Sequence, residues 1–104
     1  MFIWTGKERV TLKRAIEKYG ERHQSLKLAE ELGELQQALM KFMEYPEEPD
    51  RPIGLDELLE RRDHLAEEIA DVLIMLEQQV MMHDMGQNVA LWKDIKMDRL
   101  REGL

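Results

Sequence analysis

Apolar residues recur along the chain at helical spacing, and no stretch alternates convincingly with the period of two that a strand requires. Thr5 and Glu8 fit a capping box, with Trp4 placed to staple the start of a first helix. That helix runs to about Tyr19 and is stopped by Gly20. A second begins near Gln24 or Ser25 and reaches about Glu44; its apolar positions Leu28, Leu32, Leu35, Leu39 and Phe42 step by four and three. From Tyr45 to Gly54 the chain carries Pro46, Pro49 and Pro52, which predicts an irregular connection. A long third helix follows from about Leu55 to Met85, closed by Gly86, with Leu65, Ile69, Val72, Leu76 and Val80 as its main stripe. Asn88 can cap a fourth helix ending near Arg101. Four helices with mostly short connections predict an all-α four-helix bundle, with residues 1–104 as one domain.

The run Val72 to Leu76 is apolar on more than one face, so its helix is buried on several sides. A chain this small cannot supply all of that cover, and a homo-oligomer is expected. The abundant Leu, Glu, Lys, Met, Gln and Ala are strong helix formers and agree with the pattern. A net charge of −7 argues against neutralising a nucleic-acid backbone, though not against a nucleotide held through a metal. With no Cys, neither a disulfide framework nor a thiolate metal site is possible. The start Met1-Phe2-Ile3-Trp4-Thr5-Gly6-Lys7-Glu8 turns polar too soon for a secretory signal, and Val72 to Leu76 is far too short to cross a bilayer. No membrane partner and a cytoplasmic location are expected.

One heptad is written twice: Ala29-Glu30-Glu31-Leu32-Gly33-Glu34-Leu35 and Ala66-Glu67-Glu68-Ile69-Ala70-Asp71-Val72 each read small, acid, acid, apolar, small, acid, apolar. Glu31 and Glu34 are three residues apart, as are Glu68 and Asp71, so each pair can face one site. Spacing alone is weak, since Glu44/Glu47, Glu57/Glu60 and Glu60/Asp63 share it in a chain with 22 acids. Angle separates them. At about 100° per residue, Glu31 lies about 60° from the centre of the Leu28/Leu35/Leu39 stripe, and Glu34 lies about 60° further round. Glu68 and Asp71 relate similarly to Leu65/Val72/Leu76, which places both pairs on the shoulder of a core seam. Gly33 and Ala70 could let the helices approach closely. Four gathered carboxylates repel unless a cation lies between them, and an all-oxygen donor set suits Mg²⁺ or Mn²⁺. A di-iron bundle would need Glu-x-x-His, which is absent; His23, His64 and His83 read as ordinary polar surface or edge residues.

Phosphate held at such a metal also needs direct cations. Lys27 stands one turn before Glu31 on the acidic side of the second helix, and Lys96 and Arg99 follow Trp92 on the fourth. The plainer reading of the last two is a cationic turn complementing the helix dipole. Trp92, Trp4 and Tyr45 could stack a base, although packing is the commoner role. The eight methionines read as helix-packing residues.

The stretch Gln24-Ser25-Leu26-Lys27-Leu28-Ala29-Glu30-Glu31-Leu32-Gly33-Glu34-Leu35-Gln36-Gln37-Ala38 resembles the first motif of the MazG-like all-α nucleotide pyrophosphohydrolases. Glu67 to Leu76 looks like their second motif, and Lys96-Met97-Asp98-Arg99-Leu100 is similar to the basic tail helix of short members. The resemblance covers roughly residues 20–104, in the right order. It implies the all-α NTP pyrophosphatase fold, dimers or tetramers, and Mg²⁺-dependent hydrolysis of a nucleoside triphosphate to the monophosphate and pyrophosphate. On it, Glu31, Glu34, Glu68 and Asp71 carry the metal and the catalysis; beside it, Lys27, Lys96 and Arg99 are candidate phosphate contacts, Gln24 could face the nucleotide, and Glu30 or Glu67 could orient water. Many members carry an Asn after the tail lysine, and here no Asn follows Asn88. The rival class is a non-catalytic helical interaction module of the same fold, with solvated acids.

Overall fold

The computed structural model of the chain describes residues 3–44 and 53–104. Among these residues all regular structure is helical: α1 (Gly6–Tyr19), α2 (Glu21–Met43), α3 (Leu55–Met82) and α4 (Gly86–Gly103). Tyr45, Pro46, Glu47, Pro49 and Pro52, and the connection expected there, lie outside the described residues. The described residues are therefore all-α, in four helices, as the periodicity requires.

The capping box forms as expected. Thr5 Oγ1 accepts from the Glu8 backbone N–H at 3.1 Å, and Glu8 Oε1 accepts from the Thr5 N–H at 2.8 Å. The Thr5 backbone N–H donating to it, and then the Thr5 side chain, hold the Glu8 carboxyl below the usual carboxylate range. Gly20 ends α1 with φ 91°, a backbone that side-chain-bearing residues rarely adopt, and donates to the Ile16 carbonyl. It also serves as the N-cap of α2, which starts at Glu21 rather than near Gln24.

Two boundaries at the α3–α4 turn differ from expectation. Helix α3 stops at Met82, three residues earlier than Met85, because Asp84 rather than Gly86 takes the left-handed position (φ 47°). The amides of Met85 and Asp84 then bond the Val80 and Met81 carbonyls, closing a Schellman motif that Asp can adopt without glycine. Gly86 opens α4 behind Met85, so Asn88 lies inside the helix and does not cap it.

Helices α2 and α3 pack along most of their length. The cross-helix bonds Ser25–Gln79, Gln24–Gln78 and Arg61–Lys41 pair early residues of one with late residues of the other, which makes the pair antiparallel. The buried axis is rotated from the leucine stripes. On α2 it runs Gln24, Glu31, Ala38; on α3 it runs Glu68, Val72, Met75, Gln78. Leu28, Leu35 and Leu65 are only half-buried. Leu32, Leu39, Ile69 and Leu76 keep 46, 45, 43 and 42 % of their surface. All four stand about 80–100° to one side of the buried axis, and antiparallel pairing brings those shoulders to the same side of the hairpin. Gly33 and Ala70 are exposed on the outer faces, and a Cβ at Gly33 would meet nothing within 4 Å. They do not mediate a close approach of α2 and α3. Helix α1 leans on both, tied by Arg9 Nη1 to Glu77 Oε1 at 3.4 Å, and α4 packs on α3.

The radius of gyration is 17.3 Å, against roughly 13 Å for a compact domain of this length. The chain exposes 8435 Å², where an ordinary folded monomer of this size exposes about 6,100 Å². No helix among the described residues is long and apolar enough to cross a membrane.

Candidate metal centre

The rotation of the buried axis carries the acids inward. Glu31 and Glu68 keep only 7 and 6 % of their surface. One carboxylate oxygen each from Glu31, Glu68 and the half-buried Asp71 lie within 4.8 Å of one another. Two helices supply the three groups: Glu31 from the first repeat, Glu68 and Asp71 from the second, one turn apart.

The pairing of these oxygens is incomplete. Lys27 Nζ stands 3.3 Å from Glu31 Oε1 and 3.5 Å from Glu30 Oε2. Its pKa is raised, first by the bond to Glu31 and then by the charges of Glu30 and Glu31. His64 Nε2 is 3.9 Å from Glu68 Oε1. The second oxygens, Glu31 Oε2 and Glu68 Oε2, are buried with no hydrogen-bond partner. Burying a carboxylate oxygen without a partner is unfavourable, so these atoms could hold a cation. Glu34 is exposed at the rim and stands outside the triad of mutually close oxygens. It nonetheless feels the cluster: the Glu31 charge pushes its carboxyl above the usual range, with loss of water, a bond shared with Glu31 and the charges of Glu68 and Glu30 adding to it.

An open groove of about 720 Å³ lies beside the cluster, with Glu34, Gln37, Lys41, His64 and Glu68 in its walls. A smaller one of about 250 Å³ shares Lys41 and His64 and adds Glu60 and Arg61. Both lie on the shoulder opposite the exposed leucines.

The expected site residues divide. Glu31, Glu68 and Asp71 come together, Glu34 joins at the rim, and Lys27 reaches the cluster as its internal cation. Gln24 does not reach it: it stands roughly 10 Å back along α2, buried, its amide donating to Gln78 Oε1 at 2.9 Å. Lys96 and Arg99 are exposed on α4 and line neither groove, and Trp92 on the same helix is 54 % exposed. Glu30 and Glu67 are exposed. His64 is exposed, as the sequence reading expects, and stands four residues before Glu68 and so on its face, at the edge of the groove. Lys41 was overlooked, although it follows Glu34 by seven residues, two turns on the same side. No family model, no curated protein and no solved structure matches this chain.

Proposed function

We propose that the chain is a Mg²⁺-dependent nucleoside triphosphate pyrophosphohydrolase of the MazG-like all-α type. It would cleave a ribo- or deoxyribonucleoside triphosphate to the monophosphate and pyrophosphate, in nucleotide-pool control or house-cleaning. The observation that carries this reading is the pair of buried, unpartnered oxygens on Glu31 and Glu68 inside the three-carboxylate cluster. The donors are all carboxylate oxygens, which fits a hard cation such as Mg²⁺ or Mn²⁺.

Glu31, Glu68 and Asp71 would hold the ion, with Glu34 completing the set from the rim. Bound there, Mg²⁺ would supply charge to the phosphate oxygens and make a water more acidic. The residues do the rest. Lys27 screens the cluster while no cation is present and becomes available to phosphate when one enters. The packed α2–α3 seam holds the acids in a fixed arrangement, so charge developing on the leaving group meets a prepared environment. Water attacks the α-phosphorus, its bond to the bridging oxygen breaks, pyrophosphate leaves with the electron pair, and the water's proton passes to solvent.

The excess surface and the exposed Leu32/Leu39/Ile69/Leu76 face support a homo-oligomer, a dimer or tetramer, in which a second copy covers that shoulder. The same face would also serve a non-catalytic interaction module. Pyrophosphate release from each common ribo- and deoxyribonucleoside triphosphate, with and without Mg²⁺, tests the enzymatic reading. At least one substrate turns over only with the metal; no turnover of any triphosphate, together with no protection against heat by Mg²⁺, leaves the module.

A further inference from the structure

Beside the carboxylates, the groove has a wall that neither the acidic repeat nor the basic tail accounts for. We propose that Lys41 and His64 form the pyrophosphate end of the site, binding the β- and γ-phosphates on the side of the acids nearer the C-terminus of α2. The inference rests on the pyrophosphohydrolase reading and gives the substrate a direction within it.

Three observations carry it. The large groove joins the edge of the acid cluster, Glu34 and Glu68, to Lys41 and His64 in one open space. A second, smaller groove shares those two residues and is lined by Arg61 as well. His64 Nε2 is one turn from the cluster, 3.9 Å from Glu68 Oε1, so the ring stands beside the acids that would hold the ion. Lys41 is held in place through its backbone: Arg61 Nη1 donates to the Lys41 carbonyl at 2.8 Å, while Arg61 Nη2 is anchored on Glu57 at 3.1 Å. No carboxylate of the described residues pairs with the Lys41 ammonium. Lys27, the other lysine near the acids, stands one turn before Glu31 on α2, at the opposite end of the cluster from Lys41. Glu44 and Glu60 also line these grooves. Their charge makes an anion unwelcome until a cation has entered, so pyrophosphate binding should require the metal.

The test is calorimetric binding of inorganic pyrophosphate, with and without Mg²⁺, to the full chain and to Lys41→Ala, Lys41→Arg, His64→Gln and Lys13→Ala. Lys13 is exposed on α1 and lines neither groove. A lost charge-assisted contact weakens binding about ten- to a hundred-fold. That loss is expected in Lys41→Ala, partly restored in Lys41→Arg, and a smaller one in His64→Gln, with Lys13→Ala unchanged. The rise in melting temperature with Mg²⁺ alone should persist in every variant. Unaltered pyrophosphate affinity in Lys41→Ala and His64→Gln, or no binding to the unmodified chain, overturns the inference. Loss of the Mg²⁺ effect in His64→Gln makes that ring a metal ligand and overturns its assignment to phosphate. Triphosphate turnover is measured in parallel. Turnover retained with unaltered variants removes only this inference, whereas absent turnover removes the pyrophosphohydrolase reading itself.

Discussion

Glu31 and Glu68 occupy positions where a leucine would stabilise the fold better in the absence of metal. Each is nine-tenths buried with one oxygen unpartnered. Glu68→Gln keeps the shape and removes one charge from a repulsive cluster. The variant should melt higher than the unmodified chain in chelator and lose the rise that Mg²⁺ produces. At a hundredfold excess of cation over its Kd that rise is worth about 2.7 kcal/mol. Glu34→Ala and Asp71→Ala should abolish turnover with the helical circular dichroism intact; full activity in either removes that residue from the site. Glu8 offers a separate residue-scale test. Its folded pKa is lowered by the Thr5 amide, so its contribution is present above the unfolded pKa and lost as pH falls through the folded one. Glu8→Gln should therefore melt below the unmodified chain at neutral pH, and the gap should close as pH falls through the folded pKa of Glu8. A gap that stays constant across that range would mean the carboxylate's charge is not what secures the cap.

Elements α2 and α3 show what helical periodicity can and cannot say. The leucine stripe located the helices, yet the buried axis of α2 runs through Gln24, Glu31 and Ala38 instead. The period of 3.6 defines a stripe only to within a shoulder, and the partner helix chooses which part of it to cover. Termini were harder to read than bodies. Asp84 takes the left-handed position and ends α3 before Gly86, and a glycine cap allows α2 to start a turn early. Gly20 holds φ 91°, so Gly20→Ala should cost about 1 kcal/mol or more in urea unfolding. Gly33 lies in a helix with open space around its Cα. If no second copy packs there, Gly33→Ala should raise stability by about 0.5–1 kcal/mol. A loss of stability would place a close neighbour at that face.

At the scale of the whole molecule, a radius of gyration of 17.3 Å and an exposed surface of 8435 Å² describe a chain whose core is unfinished. Only Leu12, Ala38, Val72 and Met75 are buried among the apolar residues described. Light scattering at micromolar concentration should give a mass that is a multiple of the chain's, and Leu39→Glu or Leu76→Glu should drive the particle toward monomers or aggregates. Ile74, 40 % exposed on the other side of α3, should respond less to Ile74→Glu if the leucine shoulder is the contact. A stable, well-folded monomer of the unmodified chain sinks the proposed assembly.

Helix class, the order of the helices, the Thr5–Glu8 cap and the paired acidic heptads were all legible in the sequence, because each depends on residues within one or two turns of each other. The meeting of Glu31 with Glu68 and Asp71 was legible as a possibility, since the repeat puts equivalent acids on both helices. Only the tertiary structure decided that the acids take the centre of the seam and the leucines its edge. It alone separated Gln24, Lys96 and Arg99 from the cluster and brought Lys41 and His64 to the groove beside it. These are facts of register and rotation between helices that are distant in sequence. They follow from the summed packing of two whole faces, which no local pattern encodes.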